Sequence, residues 1–124
     1  MYIRWQSRER STPAFGRGQS DVHWRAILVE NVRVYGKPRQ QHIAYVAGFT
    51  ESAVAIPIQR LYVWDRVTER LDHLGSRISR EDRRRIEAAL SVKIGKRPTA
   101  EQRAKLEEER DKRLASLANR LAKL

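Results

Sequence analysis

Three features of the chain predict an α+β fold, a small antiparallel sheet of an N-terminal β-hairpin with a possible third strand, followed by three α-helices. Two strand-length runs rich in Val, Ile, Leu and Tyr flank Tyr35-Gly36-Lys37-Pro38, where Gly36 can take positive φ and Pro38 fixes its own. After Pro57 the apolar residues recur at three- and four-residue steps, the period of helices. The length, 124 residues, suits a single domain with one modest core.

From the start, Tyr2, Ile3 and Trp5 could form a short strand, while Ser7 to Ser20 mixes Arg, Ser, Gly and Pro with little apolar content. Residues 1–21 are therefore expected to be a mobile basic arm carrying Arg8, Arg10 and Arg17, either a solvated connection or a segment that reaches phosphates. Gly16-Arg17-Gly18 is too short for a phosphate-cradling loop, which needs a longer glycine frame ending in Lys and Ser or Thr.

The hairpin is expected over residues 22–49. Ala26, Leu28 and Glu30 share a face, but Val32 and Val34 blur the alternation, and a bulge near Glu30-Asn31 would explain this. On the return strand, Gln41 to Phe49, alternation puts Ile43, Tyr45 and Ala47 on one face and His42, Ala44 and Val46 on the other. With both faces partly apolar, helices should pack on the sheet. The turn should present Arg33, Lys37 and Arg39 to an anion.

A helical hairpin is expected over 57–94. Proline is tolerated in a helix's first turn, so the first helix runs from Pro57 to about His73, with Ile58, Leu61, Trp64, Val67 and Leu71 on one stripe and Gly75 as its cap. Arg60, Asp65, Arg66, Glu69, Arg70 and Asp72 read as a solvated, ion-paired surface. Ser79 is an N-cap for a second helix, Arg80 to Ile94, with acidic residues in its first turn. Ile86, Ala89, Leu90 and Ile94 face inward, which spreads Arg83, Arg84 and Arg85 over roughly 200° of helix, so at most two meet one partner surface. The several-residue connection suits an αα-hairpin better than a helix-turn-helix, whose turn is ~3–4 residues.

Gly95-Lys96-Arg97-Pro98 breaks the chain, and Thr99 to Gln102 has capping-box spacing, which starts a C-terminal amphipathic helix over 99–124. Leu114, Leu117, Leu121 and Leu124 keep a 3-4-3 spacing, short of a sustained coiled coil. These leucines form a partner-binding stripe: the tail docks on the domain, caps a partner helix, or pairs with its own copy as a homodimer.

Charge sets the function class. Lys plus Arg number 26 against 15 Asp plus Glu, a net charge of +11. Such a field draws polyanions and opposes close self-association at low salt, and Arg's planar fork favours nucleic acid over a membrane patch. With no cysteine, thiolate metal sites and thiol nucleophiles are excluded. His23, His42 and His73 have no metal-ligand spacing, no nucleophile motif occurs, and no cofactor or metal is expected. The first two histidines are expected in cross-strand packing and the third as a helix C-terminal cation. No secretory h-region or apolar run of ~18 residues is present, so a cytoplasmic protein is expected.

Leu28-Val29-Glu30-Asn31-Val32-Arg33, then Gly36-Lys37-Pro38-Arg39-Gln40 and Ile43-Ala44-Tyr45, resembles the N-terminal segment of bacterial insertion-sequence transposases of the DDE type. There, a strand ending in Val-Glu-x-x-Arg leads through a Gly-Lys turn to Arg-Gln and an apolar strand, ahead of a metal-binding catalytic domain. The likeness covers about 25 of the 124 residues and implies a DNA-handling module of mobile-element or phage type without that domain. The expected function is non-enzymatic nucleic-acid binding, double-stranded DNA favoured over RNA, through phosphate contacts from Arg17, Arg33, Lys37, Arg39, Arg83, Arg84, Lys96 and Arg97. The alternative is an adaptor or inhibitor that binds an acidic protein surface through its basic face and Leu-rich tail. Trp64 is expected in the core, with Trp5 and Trp24 either core or stacking surfaces.

Overall fold

A computed structural model of the chain describes residues 1–11 and 20–124. Strands β1 (Tyr2–Ser11), β2 (Ser20–Val34) and β3 (Lys37–Thr50) form an antiparallel sheet in the order β1-β2-β3. Helices α1 (Glu51–Val54), α2 (Pro57–Leu74), α3 (Arg80–Ile94) and α4 (Ala100–Ala122) follow, with a 3-10 turn at Gly75–Arg77. The α+β expectation is borne out, and the possible third strand is present.

That strand corrects the expected arm. Residues 2–11 pair with β2 from Tyr2 opposite Val29 to Ser11 opposite Ser20. Ile3 and Trp5 pack against the core, and pairing satisfies backbone groups that β2 would otherwise expose from Ser20 to Val29. Arg17 and its flanking glycines lie outside the described residues.

The hairpin turn is tighter than expected. Tyr35 and Gly36 have φ of 54° and 76°, the left-handed pair of a two-residue turn whose twist matches that of the strands. Pro38 is not in the turn but in edge strand β3, opposite Arg33. Ladder alternation from the closing Val34–Lys37 pair makes Arg33–Pro38 a non-hydrogen-bonded pair, so the missing N–H costs no ladder bond.

The irregularity expected near Glu30-Asn31 lies elsewhere, on β3. Ala26 faces Ala47 but Ile27 faces Tyr45, which leaves Val46 extra; Leu28 faces Ala44 but Val29 faces His42, which leaves Ile43 extra. Both extra residues pack into the core, a sufficient reason for the two bulges. The slips also regroup the strand: Ala44, Ala47 and Phe49 share the helix-facing side with Ala26, Leu28 and Trp24, whereas His42 and Tyr45 take the opposite, outer side with Val29 and Ile27.

Helices cover the inner side alone. Leu61, Val63, Trp64, Val67 and Leu71 of α2 and Ile86, Leu90 and Ile94 of α3 are buried, and most of them join Ala26, Leu28, Val46, Ala47 and Phe49 in one cluster. Pro57 opens α2, Ser79 Oγ accepts from the Asp82 amide, and Thr99 with Gln102 makes the capping box of α4. Trp64 is core, and its Nε1 donates to the Gly95 carbonyl at 3.0 Å. Trp5 and Trp24 meet edge to face at 6.1 Å under α3, where Lys93 Nζ sits 3.7 Å from the Trp24 ring centre. Neither is an open stacking surface.

The polar side of α2 is ion-paired as expected and leaves Arg66, Glu69 and Asp72 exposed, but four other elements supply partners along it. Arg60 donates to the Val54 carbonyl and Arg70 to that of Val46, while Asp72 pairs with Arg83 of α3 at 2.8 Å and Asp65 with Arg103 of α4 at 2.7 Å. These contacts dock α3 and α4. No helix among the described residues is long and apolar enough to cross a membrane.

Candidate nucleic-acid interface

Among the described residues no helix lies on the outer side of the sheet, and the residues of that side follow from the register. Tyr2, Arg4, Gln6 and Arg8 of β1 lie opposite Val29, Ile27, Arg25 and His23 of β2, with Asn31 and Arg33 further along. Pro38, Gln40, His42 and Tyr45 of β3 complete the face. From Tyr2 to Arg8, His23 to Arg33 and Pro38 to Gly48, these positions include no Asp or Glu. The nearby acids Glu9 and Glu30 alternate onto the inner side. Asp21, at the far end, is tied to Ser52 of α1 by its hydroxyl and its amide, and these bonds, with one from the Val22 amide, hold its carboxyl below the usual range.

Long side chains form a second layer over buried Ile27 and Val29. Tyr2 Oη donates to Asn31 Oδ1 at 3.3 Å and accepts from Gln40 Nε2, and Arg4 Nη1 donates to Gln40 Oε1 at 3.1 Å. At the other end Tyr45 is held between two guanidiniums, Arg25 at 5.3 Å and Arg70 at 4.6 Å from its ring centre. Gly48 makes room for this, since a Cβ there would collide with the Tyr45 hydroxyl. Beside Arg25 a shallow groove of about 440 Å³ is lined by Gln6, Ser7, Arg8 and His23. The arrangement is a row of guanidiniums over an apolar sheet, and among the described residues no carboxylate pairs with Arg4, Arg8, Arg25 or Arg33.

Beyond Val29, where β1 has its last partner, β2 and β3 continue alone as a two-stranded ribbon closed by Tyr35-Gly36. Five residue pairs, Glu30–Gln41 to Val34–Lys37, make a projection of about 17 Å at ~3.3 Å per residue. Tyr35 at its tip is wholly exposed. Arg33 belongs to the outer side, whereas Lys37 and Arg39 lie on the inner side, so the three cations expected to act together occupy both faces of the ribbon.

The helical cations are placed differently. Arg83 is bound to Asp72 and Glu87, which raises its pKa through the Asp72 hydrogen bond first. Arg97 bonds Glu87 and Thr68 and stacks over Trp64 at 4.8 Å. Both serve helix packing. Arg84 and Lys96 are exposed. None of these four belongs to the outer sheet face. His23 and His42 lie on that face, and His73 is in the last turn of α2.

Arg4, Arg25 and Arg70 are not legible in the sequence as site residues, and Arg8 enters only as part of the expected basic arm. The even spacing of Arg4, Gln6 and Arg8 was the available signal, but it counts only once residues 2–11 are a strand. Arg25 and Arg70 depend on the β3 bulges, which turn Tyr45 outward. No family model, no curated protein and no solved structure matches the chain.

Proposed function

We propose that the protein binds double-stranded DNA without chemistry of its own, laying the outer sheet face along phosphates and the ribbon into a groove. One observation carries this: an acid-free sheet face bearing Arg4, Arg8, Arg25 and Arg33, with Arg70 beside it, runs unbroken into a projecting two-stranded ribbon. A B-DNA major groove about 12 Å wide admits such a ribbon. A groove has phosphates on both walls, so cations on both ribbon faces, Arg33 on one and Lys37 and Arg39 on the other, suit a duplex. Single-strand binding would call for a row of open aromatic platforms, yet Trp5 and Trp24 lie under Lys93, Tyr45 is held between arginines, and the exposed Tyr35 stands alone at the ribbon tip. The likeness of Leu28 to Tyr45 to transposase N-terminal segments points the same way.

Fluorescence anisotropy with labelled duplex DNA, single-stranded DNA and RNA at ~50 and ~200 mM salt tests this. Duplex should bind best, and with about six phosphates neutralised, log affinity should fall against log salt with a slope of about −5. An Arg8→Glu/Arg25→Glu/Arg33→Glu variant should lose binding, while Arg84→Glu on the helical side keeps it. A slope near zero, or equal loss in both variants, would remove the sheet face as the interface.

A further inference from the structure

Helix α4 outruns its support. It lies antiparallel to α2, with Arg103 on Asp65 at 2.7 Å, Arg110 on Tyr62 at 3.0 Å, and Leu114 beside Pro57, the first residue of α2. Past that point α4 continues to Ala122, about 12 Å at 1.5 Å per residue, with none of its residues buried and no described element beneath it. Leu114, Leu117, Leu121 and Leu124 are 57, 53, 62 and 100 % exposed. At the root of the overhang an open groove of about 460 Å³ runs between Ile56 and Ile58 on one side and Leu106 and Leu114 on the other. The molecule thus carries an apolar prong and, next to it, an apolar slot.

We propose that a second copy of this chain fills that slot, forming a two-fold homodimer in which the α4 overhangs exchange in antiparallel fashion. A two-fold interface requires one patch to be complementary to itself, and here each copy supplies both prong and slot. The 3-4-3 spacing allows it: in an antiparallel pair, Leu114 of one copy meets Leu117 of the second, and Leu121 reaches the level of Arg110.

Charge runs in the same sense. Residues 113–124 hold Arg113, Arg120 and Lys123 and no acid, whereas residues 107–112 beside the slot hold Glu107, Glu108, Glu109 and Asp111 against Arg110 and Lys112, a segment that stays net negative although Glu107, Glu108 and Asp111 each pair with a cation of their own helix. The leucine register brings Lys123 of one copy to the level of Glu108 of the second and Arg120 to that of Asp111. An acidic protein partner would instead face this net negative segment. The net charge of +11 per chain opposes pairing at a distance, so added salt should strengthen the dimer.

Sedimentation of the full chain at low and high salt tests this. The expected mass is twice 14.5 kDa, with the dimer fraction rising as salt increases. Leu117→Glu/Leu121→Glu should sediment as monomer with an unchanged far-ultraviolet spectrum, because both leucines are exposed. The register is tested by cross-linking, as the chain has no cysteine of its own. Leu124→Cys protein mixed with Glu107→Cys protein should form a mixed disulfide, and Leu124→Cys alone should not cross-link with itself. A monomer at every salt and concentration, a dimer that survives the double variant, or self-cross-linking of Leu124→Cys would each overturn the proposal.

Discussion

Gly48 shows how much a single missing Cβ decides on the outer face. Its bare backbone lets the Tyr45 hydroxyl lie across β3, and Tyr45 in turn aligns Arg25 and Arg70. Gly48→Ala should cost about 1–3 kcal/mol in thermal unfolding, the usual penalty of overpacking, and weaken duplex binding. Unchanged melting and binding would mean that Tyr45 swings aside without consequence. Asp21 adds a pH dependence. Its pKa is lowered chiefly by the Ser52 hydroxyl, so the folded state favours the carboxylate. That stabilisation is complete above the unfolded value near ~4 and fades as pH falls through the lower folded value. Asp21→Asn should therefore be less stable than the parent at neutral pH, with the two urea-melt stabilities converging below about pH 4. Neither role is legible in the sequence, because it takes the β3 bulges to turn Tyr45 outward and the docking of α1 to bring Ser52 to Asp21.

Helical elements were legible because their signals are local. Pro57, Ser79 and the Thr99–Gln102 box act within one turn of backbone, and the structure uses each where its spacing puts it. The strands were harder. Bulges at Ile43 and Val46 arise because both side chains find the core, and alternation alone cannot report a core that other elements supply. β1 reads as a loop in its second half since its partners are polar on one face and lie on a strand nine or more residues away. The ribbon turn yields a prediction at this scale. Tyr35 holds a left-handed φ of 54°, unusual for an aromatic residue, ahead of Gly36. Tyr35→Asn makes the preferred Asn-Gly turn and should stabilise the ribbon by about 0.5–1 kcal/mol, seen as slower amide exchange from Asn31 to Gln41. Because the ribbon tip buries nothing, global melting should hardly move. Faster exchange would show that Tyr35 itself supports the turn.

For the whole molecule, basic charge and exposed leucines pull toward opposite salt conditions. DNA held by phosphate contacts is released as salt rises, while two chains of +11 are pushed apart when salt is low. Raising salt from ~50 to ~200 mM should therefore weaken duplex binding and strengthen self-association in the same sample, read by anisotropy and by sedimentation. If both move together, one surface serves both. Composition, periodicity and caps were enough to establish an α+β chain with a basic hairpin and a Leu-rich final helix, because each is a property of neighbours in sequence. Which cations share a surface was not, since Arg4, Arg8, Arg25 and Arg70 come from three elements that only strand register and helix docking bring to one side. The same contacts withdrew Arg83 and Arg97 into ion pairs and left Leu117 to Leu124 without support: what a side chain meets across the fold depends on packing between distant segments, and no local spacing encodes it.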